Sequence, residues 1–162
     1  MKPTKDTRPG ANMMKTLFDK NACDELLGRL GKLTAETERQ WGKMSPSQMM
    51  EHAARALEMG IGATPVKQIF AGKLLSRFFR KEFLGEEPFK PNRPTGPDFI
   101  IKHEPDFEPT RVRLSTLITQ FHELGESGID GHVHKFFGPL TGKQWGETQY
   151  KHVDHHLRQF GV

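Results

Sequence analysis

Two strings in the chain, Ser45-Pro46-Ser47-Gln48 and Thr141-Gly142-Lys143-Gln144, place a hydroxyl residue three positions before a glutamine. A hydroxyl at the N-cap accepts the N3 backbone N–H while the N3 side chain reaches back to the cap, so each string reads as a helix start. Pro46 strengthens the first, because at N1 its missing N–H costs nothing. A helix whose first residue is known has known faces, and each side chain on it acquires a direction.

From Pro46, a helix over 46–60 gathers Met49, Met50, Ala53, Ala56 and Leu57 into one apolar stripe. Glu51, Arg55 and Glu58 lie opposite, and His52 sits at the stripe's edge. From Gly142, a helix over 142–160 puts Gln149, His152, Val153, His156 and Phe160 within about 80° of Trp145 on the helical wheel. Glu147, Lys151, Asp154 and Arg158 take roughly the other side, and His155 falls on the flank with Thr148. The face that carries Trp145 and Phe160, and with them His152 and His156, is the one expected to be buried.

Three further helices are expected. One over 21–33 is capped by Asn21 and carries Leu26, Leu27, Leu30 and Leu33. One over 65–82 starts at Pro65; its Leu74, Leu75, Phe78 and Phe79 are interleaved with Lys73, Arg77, Arg80 and Lys81. Such a basic amphipathic helix can lie on a membrane surface, but a packed helix with a solvated basic edge is the preferred reading. One over 107–125 carries Val112, Leu114, Leu117, Ile118, Phe121 and Leu124, with Gly125 as its stop. No strand run emerges, so the fold class is all-α. Six prolines, Pro88, Pro91, Pro94, Pro97, Pro105 and Pro109, mark residues 85–109 as a long loop or lid. Residues 1–14 read as a disordered tail and 15–162 as one domain.

Cys23 is the only cysteine, which rules out an intrachain disulfide and a four-cysteine zinc site. It agrees with a cytoplasmic setting, and Cys23 itself reads as a small buried apolar residue. No apolar run approaches the ~20 residues of a membrane span. The net charge of +4 is spread along the chain, with one local knot at Arg77, Arg80 and Lys81, so nucleic-acid binding is not expected.

His152 and His156 are spaced i, i+4, which separates two rings by about 6 Å of rise and about 40° of rotation, the spacing with which a helix holds one metal ion. Packing without metal is the plain alternative. A zinc-type catalytic site takes three protein ligands, and His52 is the best third candidate. His132 and His134 could line a site from a loop, whereas His103 and His122 read as rim residues.

Two stretches, QWGKMSPSQMMEHAARAL at 40–57 and FFGPLTGKQWGETQYKHVDHHLRQFGV at 136–162, resemble the DinB/YfiT-like superfamily of four-helix-bundle metalloproteins, and most closely an uncharacterised branch of it. The resemblance runs from about Lys15 to the end. It implies an up-down four-helix bundle with an extra short helix and the Pro-rich loop. It also implies one divalent metal on His52, His152 and His156. Members include transferases that use bacillithiol or mycothiol and a thiol-dependent maleylpyruvate isomerase. Zinc, nickel or iron suits three imidazoles. A low-molecular-weight thiol and a small-molecule substrate are then expected partners, and a homodimer is plausible for such bundles.

The leading expectation is therefore a metal-dependent, thiol-using S-transferase, with a metal-assisted hydrolase as its sibling. A non-catalytic metal or small-ligand binding protein, its site closed by His134 or Glu104, is the rival; a protein-interaction module using the 65–82 helix is the third reading. His134, His155 and Glu104 titrate and are candidates for a general base.

Overall fold

The computed structural model describes residues 14–162; the tail expected over 1–14 lies outside them except for Met14. The described chain is mostly helical. In order it forms α1 (Lys20–Leu30), α2 (Pro46–Gly60), α3 (Phe70–Leu84), a 3-10 turn (Pro97–Phe99), α4 (Phe107–Ile129), two short strands β1 (Val133–His134) and β2 (Gly138–Pro139), and α5 (Gly142–Gln159). Helices α1 and α2 each pack against both α4 and α5, which also touch each other. One hydrophobic cluster lies between them, built around Leu26, Met50, Leu57, Leu114, Ile118, Phe121, Trp145 and Leu157.

Both capping boxes form. Ser45 Oγ accepts from Gln48 N, Thr141 Oγ1 accepts from Gln144 N, and each glutamine accepts from the backbone N–H of its cap residue. These starts set the rotation of α2 and α5 about their axes. Where α2 ends, Gly60 lies so close to α4 and α5 that a Cβ there would come within 2.8 Å of Phe121 and 3.3 Å of Trp145. Side-chain volume at that junction would push the three helices apart.

Several boundaries differ from expectation for local reasons. Asp19, not Asn21, caps α1, accepting from Ala22 N at 2.8 Å. Helix α3 starts at Phe70 rather than Pro65, because Ile69 N donates to Lys135 O and Gln68 Nε2 to Phe136 O, which holds the preceding residues against the β1–β2 turn. Gly125 does break the helical backbone of α4, at φ 68°, but a further helical turn follows because Ile129 is fully buried. The hairpin pairs Val133 with Pro139 and His134 with Gly138; two-residue strands are too short to show an alternating pattern.

Two larger corrections concern faces. Helix α5 has no solvent side along much of its length: α1, α2 and α4 cover one side and α3 touches another. Lys151, assigned by the wheel to the outer side, is consequently buried. Its Nζ donates to Glu82 O and Gly85 O and lies 4.4 Å from the Phe89 ring centre. Conversely, Leu74, Phe78 and Phe79 of α3 are exposed, and so are Val112 and Leu124 of α4.

Because Thr141 starts the helix that carries the buried face of α5, Thr141→Ala should destabilise the protein by about 1 kcal/mol. Urea unfolding should show this as a lower midpoint. The exposed neighbour Lys143→Ala should change stability by less than about 0.5 kcal/mol.

Candidate metal centre

His52 on α2 and His152 and His156 on α5 meet at the packed seam of these two helices. Their ring centres form a tight triangle, 5.0 Å from His52 to His152, 4.8 Å from His52 to His156 and 4.7 Å from His152 to His156. One ligand-capable atom from each lies within 4.8 Å of the others. Tetrahedral zinc with imidazole ligands needs roughly 3.3 Å between nitrogens; His52 Nε2 and His152 Nε2 are 3.0 Å apart. Among the described residues no His, Cys, Asp or Glu joins the group as a fourth member.

What surrounds the rings decides which nitrogen of each carries the proton. The Phe99 carbonyl lies 2.9 Å from His52 Nδ1 and can only accept, so Nδ1 holds the hydrogen and Nε2 of the neutral ring is bare. His156 is set by a relay. Gln159 Nε2 donates to Trp41 O at 2.9 Å, which turns Gln159 Oε1 toward His156 Nδ1, also at 2.9 Å. His156 Nδ1 is therefore the donor and its Nε2 is bare as well. Metal-binding histidines are commonly oriented by such partners on the opposite nitrogen.

His152 has no such partner. Its Nδ1 is sealed from solvent and makes no hydrogen bond. With the proton on Nδ1, a buried donor goes unpaired and two bare Nε2 atoms face each other at 3.0 Å, an arrangement a cation between them would relieve. With the proton on Nε2, His152 donates to His52 and leaves a buried acceptor without a donor. The triad is unsatisfied on its own in either form, and its donor set fits a divalent ion.

Burial also keeps the rings uncharged. It is the first cause for all three, pushing the pKa of His52 down, that of His152 well below the usual histidine range and that of His156 down to about 3. Neighbouring imidazoles add to the effect at His152 and His156, while the Phe99 and Gln159 hydrogen bonds oppose it at His52 and His156. Neutral rings at pH 7 present lone pairs, as a metal ligand requires.

The Pro-rich segment covers the site. Phe99 lies 6.1 Å from His52, and Phe89 lies 6.5 Å from His152 and 6.0 Å from His155, centre to centre. Three side chains at i, i+4 and i+7 of α2 fasten it. Gln48 Nε2 donates to His103 O, His52 Nδ1 to Phe99 O and Arg55 Nη1 to Asp98 O. His52 thus belongs to the triad and to the seam that holds its cover.

The other candidates fall elsewhere. His134 is buried, but its Nδ1 accepts from Phe136 N and Phe137 N, so it shapes the hairpin turn and is not part of the triad. Glu104 is exposed and accepts from Ser45 Oγ at the start of α2. His155 is buried beside the triad, 5.1 Å from His156 and 5.7 Å from Trp41 between ring centres. His132 accepts or donates nothing to the triad; its Nδ1 donates to Gly60 O, as His122 Nδ1 does to Leu17 O. His103 is exposed, and Cys23 is buried, with its thiol pKa pushed up mainly by burial. Gln159, Trp41 and Phe99 were not foreseen as site residues. Only Gln159 left a trace in the sequence, three residues beyond His156 on the same helix.

The architecture and the cluster define a mostly helical protein with a largely buried three-histidine group that could hold a metal ion. The chain belongs to a family described as protein of unknown function (DUF1569), whose model matches residues 13–161. No curated protein and no solved structure matches it.

Buried neutral histidines make stability depend on pH. The pKa of His134 is lowered to about 4, chiefly by burial and then by Arg80. The unfolded chain binds that proton near pH 6.5, so the stabilisation is complete above pH 6.5 and is lost as pH falls toward 4. For His134 this loss is on the order of 3 kcal/mol. The urea midpoint should fall steadily from pH 7 to pH 4.5, and a midpoint flat over that range would contradict neutral burial.

Proposed function

We propose that the chain is a divalent-metal-dependent protein of the DinB/YfiT-like kind, an up-down four-helix bundle in which His52, His152 and His156 hold one ion. The proposed activity is transfer of a low-molecular-weight thiol to a small electrophilic substrate, with metal-assisted hydrolysis as the next reaction class. The observation that carries the reading is that Nδ1 of His52 and of His156 each faces an oxygen, which leaves Nε2 of both rings bare with the ring centres 4.8 Å apart.

A bound zinc, nickel or ferrous ion would act as a Lewis acid, lowering the pKa of a thiol or water at its remaining position. The chain's own residues do the rest. Phe99 O and Gln159 Oε1 keep protons on Nδ1 of His52 and His156. Phe89 and Phe99 limit water around the rings. A set of three protein ligands supports a site with an open position, as catalytic zinc sites have, over a closed one.

One observation favours the non-catalytic reading. A surface cavity of about 210 Å³ is lined by Arg55, Glu58, Asp98 and Phe99, and a second of about 420 Å³ by Glu86, Glu147, Tyr150 and Lys151. Neither includes a residue of the triad among those lining it, and Phe89 and Phe99 of the Pro-rich segment lie against the rings.

Elemental analysis of protein purified without chelator should find close to one divalent ion per chain. Alanine at His52, His152 or His156 should abolish it, whereas alanine at His155 or His134 should not. Equal metal loss from His155→Ala and His156→Ala would contradict the site. Gln159→Leu, which frees the His156 ring, should weaken metal binding about 10- to 100-fold. In the cobalt-substituted protein, millimolar bacillithiol or a related thiol should change the visible spectrum. An unchanged spectrum would favour hydrolysis or simple binding over thiol transfer.

A further inference from the structure

Helix α3 is held to the molecule along one side. Gly72 is buried against the hairpin, where a Cβ would come 2.7 Å from Phe136 Cα. Arg80 Nη1 donates to Phe137 O, and Phe83 stacks on Phe137 with ring centres 4.2 Å apart. On a helical wheel these three residues cluster within about 80° of one another. Phe70, Leu74 and Phe78 cluster diametrically opposite, and they are 85%, 63% and 72% exposed. Large apolar side chains in an unbroken i, i+4, i+8 row are not ordinary surface.

The same outer face carries Arg77 and Lys81, and Lys73 lies at its border, all three exposed. On the wheel Arg77 and Lys81 alternate with Phe70 and Leu74, and Lys73 lies about 60° from Phe70. The one acid of α3, Glu82, lies about 40° beyond Phe78 on the wheel, is half-buried and pairs with Arg93. Among the described residues none of the three cations forms an ion pair. The surface is apolar, cationic and convex, since it is the outer side of a helix that stands on the body of the protein.

We propose that this face of α3 docks on an anionic lipid surface, with Phe70, Leu74 and Phe78 entering the acyl boundary and Lys73, Arg77 and Lys81 meeting the headgroups. A fluid surface accepts protruding side chains without preformed pockets, and its negative charge matches the cations. A second copy of the chain is a poor occupant, because pairing two such faces sets cation rows against each other. The contact is peripheral, as no described helix is long and apolar enough to cross a membrane.

The full chain should co-sediment with phosphatidylcholine vesicles containing about one-third phosphatidylserine and not with phosphatidylcholine alone. The triple variant Phe70→Ser, Leu74→Ser, Phe78→Ser should lose binding while keeping the thermal midpoint of the parent, since these side chains are exposed. Lys73→Gln, Arg77→Gln, Lys81→Gln should weaken partitioning roughly a hundredfold, about fivefold per cation. The proposal is overturned by absence of binding to anionic vesicles at low salt, or by equal binding of parent and apolar variant. Self-association abolished by the apolar variant, or binding to poly-glutamate, with no vesicle binding in either case, would also overturn it.

Discussion

Three imidazoles packed ring against ring cannot all be charged, and they cannot all be satisfied by one another. That constraint organises the seam between α2 and α5. Burial holds the rings neutral, the Phe99 carbonyl takes the proton side of His52, and the Gln159 amide takes the proton side of His156. Each partner is itself placed by structure remote in sequence. Phe99 lies in the 3-10 turn of the Pro-rich segment, and Gln159 is turned by the carbonyl of Trp41, ahead of α2. Gly42 leaves room for this last contact, since a Cβ there would meet Gln159 Nε2 at 2.4 Å.

The same logic links the site to its cover. Gln48, His52 and Arg55 form one row on α2, and all three donate to backbone carbonyls of residues 98–103. Moving the cover would release the hydrogen bond that fixes His52, so access to the triad and the orientation of one of its members are coupled. A buried polar site that is complete only with its loop in place is a natural point of control over what reaches it.

Much of the site was legible because capping chemistry is local. Ser45–Gln48 and Thr141–Gln144 are short-range signals, and both helices begin where those residues place them. Once the starts were known, periodicity put His152 and His156 on one face of α5 and His52 at the edge of the α2 stripe, and the three rings lie close together. What could not be read depends on contacts between distant segments. Lys151 is buried because α3 and the Pro-rich segment lie over it, and α5 carries no local mark of that cover. The apolar row of α3 looked like a core stripe because periodicity reports that a face is apolar and not whether anything covers it. The tautomers of His52 and His156 rest on carbonyl groups, which every residue has.

Histidine side-chain nitrogen NMR on isotopically labelled, metal-free protein at pH 7 is the most direct test of the central claim. His52 and His156 should each appear as neutral rings protonated on Nδ1, with Nε2 bare. Either ring found protonated on Nε2, or carrying both protons, would contradict the account, since the lone pairs of His52 and His156 would not then face a common ion.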